Sequence, residues 1–224
     1  MIKAVIFDMD GLMFDTEALA KKGWLIVGRE MHLPVTDEIL HKVIGMNAAG
    51  VKKACIDYFG PEFDYESFRK TVGNYMQNVL ETEGMPVKRG LPELLTYLKQ
   101  NHYQTAVASS SPQTTVENYL RRAGMETDFS ALICGDMVKK SKPEPDIFLK
   151  AAETLYVSPK NCLVLEDSAN GIRAAYAAGI RSVMVPDLIE PTADLRAMAD
   201  AVCESLYDVI PYLEKDRKGE LPNG

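Results

Sequence analysis

The chain opens with a run of apolar positions, Ile2, Ala4, Val5, Ile6 and Phe7. Its length and β-branched content fit a strand buried on both faces. It ends on two aspartates, Asp8 and Asp10, one residue apart. From Thr16 to about Gly84 the spacing turns helical and stays so. It predicts helices over Thr16–Arg29, Thr36–Ile44, Ala48–Phe59 and Tyr65–Glu81, broken at Leu33-Pro34, Gly45 and Gly60-Pro61. Asp15 or Thr16 can cap the first, with Glu17 in its opening turn. Met85–Gly90 then reads as a linker.

Beyond it, short apolar runs alternate with helical patterns. Strands are predicted at Thr105–Ala108, Ala131–Cys134, Cys162–Leu165 and Arg181–Val185. Helices are predicted over Leu91–Gln100, from Pro112 to the Gly124 stop, over Glu144–Leu155 and over Ala169–Ala178. Such alternation predicts an α/β fold with a parallel sheet covered on both faces. The first strand needs that sheet to be buried, so the helical block is an insertion after it. The expected organisation is a core of residues 1–14 and 86–215, a helical cap of residues 15–85, and a frayed charged tail over 216–224.

The bulk numbers narrow the function. With 224 residues, 46% of them hydrophobic, the chain can bury a sizeable core. A formal charge of −7 argues against a general nucleic-acid binder, which needs a basic face. No apolar run is long enough to span a bilayer, and the N-terminus leads into a strand, so no membrane role and a cytoplasmic location are expected. Cys55, Cys134, Cys162 and Cys203 form no C-x-x-C pair and read as reduced, largely buried thiols. His32, His41 and His102 lack metal-ligand spacing.

Ligands of an open parallel sheet bind at the carboxyl ends of its strands. Read in order, those ends carry Asp8 and Asp10, then Ser109, then the loop leading to Lys142, then Glu166 and Asp167. Any one of them is an ordinary strand-end polar residue; all at one edge make a site. Two like charges about 4 Å apart repel by roughly 4 kcal/mol at an effective dielectric near 20. Lys142 offsets part of that, and an all-oxygen donor set without His or Cys selects a hard divalent ion such as Mg²⁺ for the rest.

These segments, FDMDG, the serine of VASSS, the lysine of KKSKPEPDIF, and LEDS followed by NGIRAAYAAG, resemble the four motifs of the haloacid dehalogenase superfamily. More closely they resemble its β-phosphoglucomutase-like branch, over nearly the whole chain, helical cap included. The resemblance implies a Rossmann-like core and a cap that closes over a small phosphorylated metabolite. It implies Asp8 as the nucleophile that forms an aspartyl-phosphate, and Asp10 as the general acid and base. Ser109, Ser110 and Lys142 would hold the phosphoryl group. Asp8, Asp10 through its backbone carbonyl, Glu166 and Asp167 would hold Mg²⁺. Because Asp10 is present, phosphate-ester chemistry is expected in place of dehalogenation or phosphonate cleavage.

Phosphatase and mutase differ in the cap. The mutases of the branch carry a histidine, an arginine and a lysine there; in the matching register stand Ala20, the stretch from Gly45 to Ala48, and the region near Thr71. Glu17 after Asp15-Thr16 follows the phosphatase pattern. The expected activity is therefore hydrolysis of a sugar or polyol phosphate, with a sugar phosphomutase as the alternative and a non-catalytic phosphate-binding module as a further one. Met13, Glu17, Trp24, Met46 and Asn47 are candidates for the specificity surface. Core packing competes for Trp24 and Met46, and a helix start competes for Asn47. A monomer is the default expectation.

Overall fold

The computed structural model describes residues 1–43, 46, 48–187 and 190–221. The chain divides into two compact units, Met1–Asp15 with Met85–Gly224, and Thr16–Gly84.

The first unit is built on a six-stranded, all-parallel sheet of order β3-β2-β1-β4-β5-β6. Its strands are β1 (Ala4–Phe7), β2 (Gln104–Ser109), β3 (Ala131–Cys134), β4 (Cys162–Glu166), β5 (Arg181–Met184) and β6 (Ala201–Val202). β1 lies centrally, with Phe7 paired to Val107 on one side and Leu165 on the other. That central place explains its unbroken apolar run, because alternate side chains feed two different cores. Val5 and Phe7 join a cluster with Leu91, Leu94, Leu98, Val116, Leu120, Val209 and Leu213. Ala4 and Ile6 join the other, with Ile147, Phe148, Ala151, Ala174 and Ala175.

The helices that supply these faces had the right spacing but not always the right ends. In the second unit stand α1 (Thr16–Glu30), α2 (Asp37–Val43), α3 (Ala48–Phe59) and α4 (Tyr65–Thr82). In the first stand α5 (Leu91–Gln100), α6 (Gln113–Ala123), α7 (Asp146–Thr154), α8 (Ala169–Ala177), α9 (Ala193–Met198) and α10 (Val209–Arg217). α7 begins two residues later than its pattern suggested, because Pro143 and Pro145 restrict the residues before them. α9, β6 and α10 carried no usable signal: β6 is two residues long and α9 six.

The tail expectation needs correction at Asp216 and Arg217, which close α10. Asp216 is 6% exposed and accepts from the Ile2 backbone N–H at 2.6 Å and from Arg181 at 2.9 Å. Burial raises the Asp216 carboxyl, but these donors outweigh it and leave the group below its ordinary value. A charged residue looked like fraying in the sequence because its two partners lie far away along the chain.

The helical unit has its own small core of Val27, Phe68 and Val72, packed by Trp24, Phe63, Tyr75 and Met76. Asp64 caps α4 by accepting from the Ser67 N–H at 3.0 Å. Among the described residues, no helix is long and apolar enough to cross a membrane. Cys55, Cys134 and Cys162 are buried free thiols, and Cys203 is a half-buried one.

Candidate active site

The parallel register brings three strand ends side by side: Asp8 follows β1, Ser109 closes β2 and Glu166 closes β4. The Asp8 backbone N–H continues the ladder to the Leu165 carbonyl at 3.0 Å, which fixes the carboxylate at the sheet edge. Lys142 reaches the same point from the loop before α7. Its Nζ donates to Asp8 Oδ1, to Glu166 Oε1 at 2.7 Å and to the Ala108 carbonyl at 3.0 Å. All three protons of the ammonium are thereby used, and its side chain is only 6% exposed.

Glu166 is fully buried and satisfied on both oxygens. Oε2 accepts from the Ser168 N–H at 2.8 Å and from the Ser168 hydroxyl at 2.9 Å. Ser168 also caps α8, accepting from the Gly171 N–H at 3.1 Å. A Cβ on Gly171 would stand 1.7 Å from Glu166 Oε1, so this helix position admits only glycine while Glu166 holds its place. The spacing of LEDSANG is thus a single device in which a helix start clamps a buried carboxylate.

Asp8, Glu166 and Asp167 each offer an oxygen within 4.8 Å of the others. Three anionic oxygens that close, in a set without sulfur or imidazole, fit a hard divalent cation with oxygen coordination. The electrostatics agree with that fit. Burial drives the Asp8 carboxyl upward, Glu166 and Asp10 add to the rise, and Lys142 opposes it. Burial, with Glu166, Asp8 and Asp187 adding, holds Asp167 well above the carboxylate range against Lys142. Burial pulls the Lys142 ammonium down, but Asp8 and Glu166 together raise it beyond its ordinary value.

Asp10 faces elsewhere. Its carboxylate accepts from the Ser111 hydroxyl at 2.8 Å and stands 3.5 Å from that of Ser109. It lies outside the oxygen group of Asp8, Glu166 and Asp167. The turn between the two aspartates and α1 explains the separation. Gly11 sits at φ +84°, in the left-handed region, and its N–H donates to the Phe14 carbonyl at 2.9 Å. The two opening aspartates tolerate each other because one is turned to a lysine and the other to hydroxyls.

The remaining sequence candidates distribute unevenly. Ser109 is buried and accepts the Ser111 N–H at 3.0 Å, whereas Ser110 is exposed. Ser111, which the sequence reading passed over, is the serine that touches Asp10; its place two residues past the strand end was the available signal. Met13 requires correction as a specificity residue. It is fully buried in the core beside Leu12 and Phe14 and has no surface to offer a ligand. Its backbone N–H donates to the Met9 carbonyl and its carbonyl accepts the Lys88 N–H, each at 2.9 Å, which holds the turn in place. Glu17 is half-buried in the first turn of α1. Trp24 stands edge-on to Phe68 with ring centroids 5.1 Å apart, and Met46 is exposed. Asn47 lies outside the described residues. Gly171 and Asp187 were also missed; reading the end of the fifth strand as well as the first four would have found Asp187.

Comparison with known proteins gives the family. Residues 5–185 match the family model of haloacid dehalogenase-like hydrolases. The chain is 32% identical over 203 residues to a phosphorylated carbohydrates phosphatase of Thermotoga maritima, covering 90% of this chain and 94% of that protein. It is 32% identical over 212 residues to hexitol phosphatase B of Escherichia coli K12, covering 93% and 94%. It is 30% identical over 216 residues to β-phosphoglucomutase of Bacillus subtilis, covering 92% and 95%. The crystal structure of β-phosphoglucomutase from Clostridium difficile shares the fold, with a TM-score of 0.78 at 24% identity and 98% of both chains covered. With the motifs, the sheet edge and the family match in agreement, the chain belongs to the haloacid dehalogenase-like hydrolases and is an enzyme of that family.

Proposed function

We propose that this enzyme is a Mg²⁺-dependent phosphatase of a small phosphorylated carbohydrate, a sugar or polyol phosphate, working through an aspartyl-phosphate on Asp8. The observation that carries the reading is the division of labour between the two opening aspartates: Asp8 against Lys142, Asp10 against Ser109 and Ser111. Catalysis of phosphoryl transfer is mainly positioning and charge stabilisation. Lys142 donates to Asp8 Oδ1 and orients the carboxylate, Oδ1 staying available to the cation as well. The other oxygen of Asp8 attacks phosphorus as the bond to the leaving oxygen breaks. Asp10 delivers its proton to that oxygen. It then takes a proton from the water that attacks the aspartyl-phosphate, releasing phosphate and regenerating Asp8.

Asp8, Glu166 and Asp167, with the backbone carbonyl of Asp10, would hold the cation. When bound it supplies positive charge beside the phosphoryl oxygens. Lys142 neutralises the same region from the protein side, and Ser109 offers a hydroxyl toward the transferring group. The relatives named phosphatases of phosphorylated carbohydrates and hexitols support the substrate class.

The test is turnover on a panel of sugar and polyol phosphates with Mg²⁺, scoring both free phosphate and isomerised product. Asp8→Asn should lower phosphate release by about 10⁴-fold or more, and EDTA should abolish it. Isomerisation without release, stimulated by a sugar bisphosphate, would replace the phosphatase by the mutase that the Bacillus subtilis relative represents. Phosphate release that survives in Asp8→Asn would remove the aspartyl-phosphate mechanism.

A further inference from the structure

Asp187 follows β5 by three residues, at the same edge of the sheet as Glu166 and Asp167. The Val185 N–H donates to the Glu166 carbonyl at 2.7 Å, which carries the β4–β5 ladder to the site. The Asp187 side chain is only 8% exposed. Oδ1 accepts from Lys88 Nζ at 2.6 Å. Oδ2 is buried and has no hydrogen-bond partner among the described residues. A buried carboxylate oxygen without a donor is costly, so such an atom calls for a ligand.

Gly11 shows where that oxygen lies. A Cβ on Gly11 would stand 2.3 Å from Asp167 Oδ2 and 3.4 Å from Asp187 Oδ2. The two carboxylates therefore converge on one glycine, from β4 and from β5. Asp187 nevertheless falls outside the group formed by Asp8, Glu166 and Asp167 within 4.8 Å. Its Oδ2 thus lies beside Asp167 without being one of that close set of oxygens. Mg²⁺ keeps several of its waters when protein carboxylates bind it, and those waters are strong donors that need acceptors.

We propose that Asp187 is a positioning residue of the cation site: Lys88 holds its Oδ1, and Oδ2 accepts a hydrogen bond from a water bound to the cation beside Asp167. This rests on the cation reading given under the proposed function. Lys88 belongs to the Met85–Gly90 segment and also stands 3.8 Å from Asp15, at 23% exposure. One ammonium thus fixes Asp187 to both stretches of chain that flank the helical insertion. The role is binding and orientation only.

The experiment is Mn²⁺ titration of the full chain, with free Mn²⁺ followed by electron paramagnetic resonance and folding by circular dichroism. Asp167→Asn should abolish binding at the site. Asp187→Asn should weaken the affinity by about 10- to 100-fold, the usual effect of losing an outer partner of a metal site. Lys88→Met should weaken it in the same direction by less. Asp15→Asn, which removes a charge near the same lysine without facing Asp167, should stay within about twofold of wild type. Wild-type Mn²⁺ affinity in a folded Asp187→Asn, with binding lost in Asp167→Asn, would overturn the assignment and leave the cation site intact. If Asp187→Asn does not fold, Lys88→Met decides, and unchanged affinity there overturns it equally. Failure of the wild-type chain to bind Mn²⁺ would overturn both this role and the cation reading.

Discussion

The two units of this chain solve different physical problems with similar materials. In the sheet unit, four carboxylates, a lysine and two serines gather at one edge, several of them almost fully buried. In the Thr16–Gly84 unit, charged groups are spread over helix surfaces in exposed pairs, such as Lys52 with Glu66 at 2.9 Å and Lys53 with Asp57 at 2.6 Å. Its interior is aromatic, with Phe68 contacting Trp24, Phe59 and Phe63. Buried charge is expensive and persists only where every group is partnered or metal-bound; exposed pairs contribute little. Both units pack apolar cores, but only the sheet unit gathers buried charge at one edge.

That contrast breaks first at Lys142. Lys142→Met should leave Asp8 and Glu166 facing each other without a counter-ion, and should cost about 3–5 kcal/mol of stability. Urea unfolding measures it, and Mg²⁺ should recover part of the loss by binding the native state. An unchanged midpoint in EDTA would mean that the lysine does not hold the site together.

In the helical unit the equivalent change is Phe68→Ala, expected to cost about 3 kcal/mol through the cavity it leaves. Hydrogen exchange should show α1 and α4 losing protection while the strands of the sheet keep theirs, because the units have separate cores. Equal loss in both units would contradict two independent cores.

The pH dependence sharpens the same contrast. Burial above all pushes Asp8 up to about 8, with Lys142 opposing. A carboxyl raised in this way binds its proton more tightly folded than unfolded, so it favours the native state at low pH. Stability of the cation-free protein should therefore fall as pH rises from about 4 towards 8, with Asp167 acting in the same direction. Melting in EDTA should drop by about 5 °C or more across that window, and Mg²⁺ should restore most near the upper end. A flat profile in EDTA would mean that the carboxylates are not held against their charge. The smallest effect is expected at Lys53→Ala, which removes an exposed pair on α3 and should leave both the melting midpoint and turnover where they are.

Much of this was written along the chain. The apolar run before Asp8, the alternation after Gly90 and the four strand-end motifs depend on local spacing, and local spacing is set by helix and strand periods. The sequence alone therefore determined the parallel sheet, the inserted helices, and the gathering of Asp8, Asp10, Ser109, Lys142, Glu166 and Asp167 at one edge. It left Met13 ambiguous, because an apolar side chain in a turn can face a core or a ligand, and only the folded core shows it buried. It hid Asp216, whose partners are Ile2 and Arg181. Ser111 and Asp187 stood at strand-end positions that could be read, but their partners, like those of Gly171, could not. What each touches depends on side-chain direction and on contacts between distant strands, and those are fixed only when the sheet assembles and the cores on its two faces close.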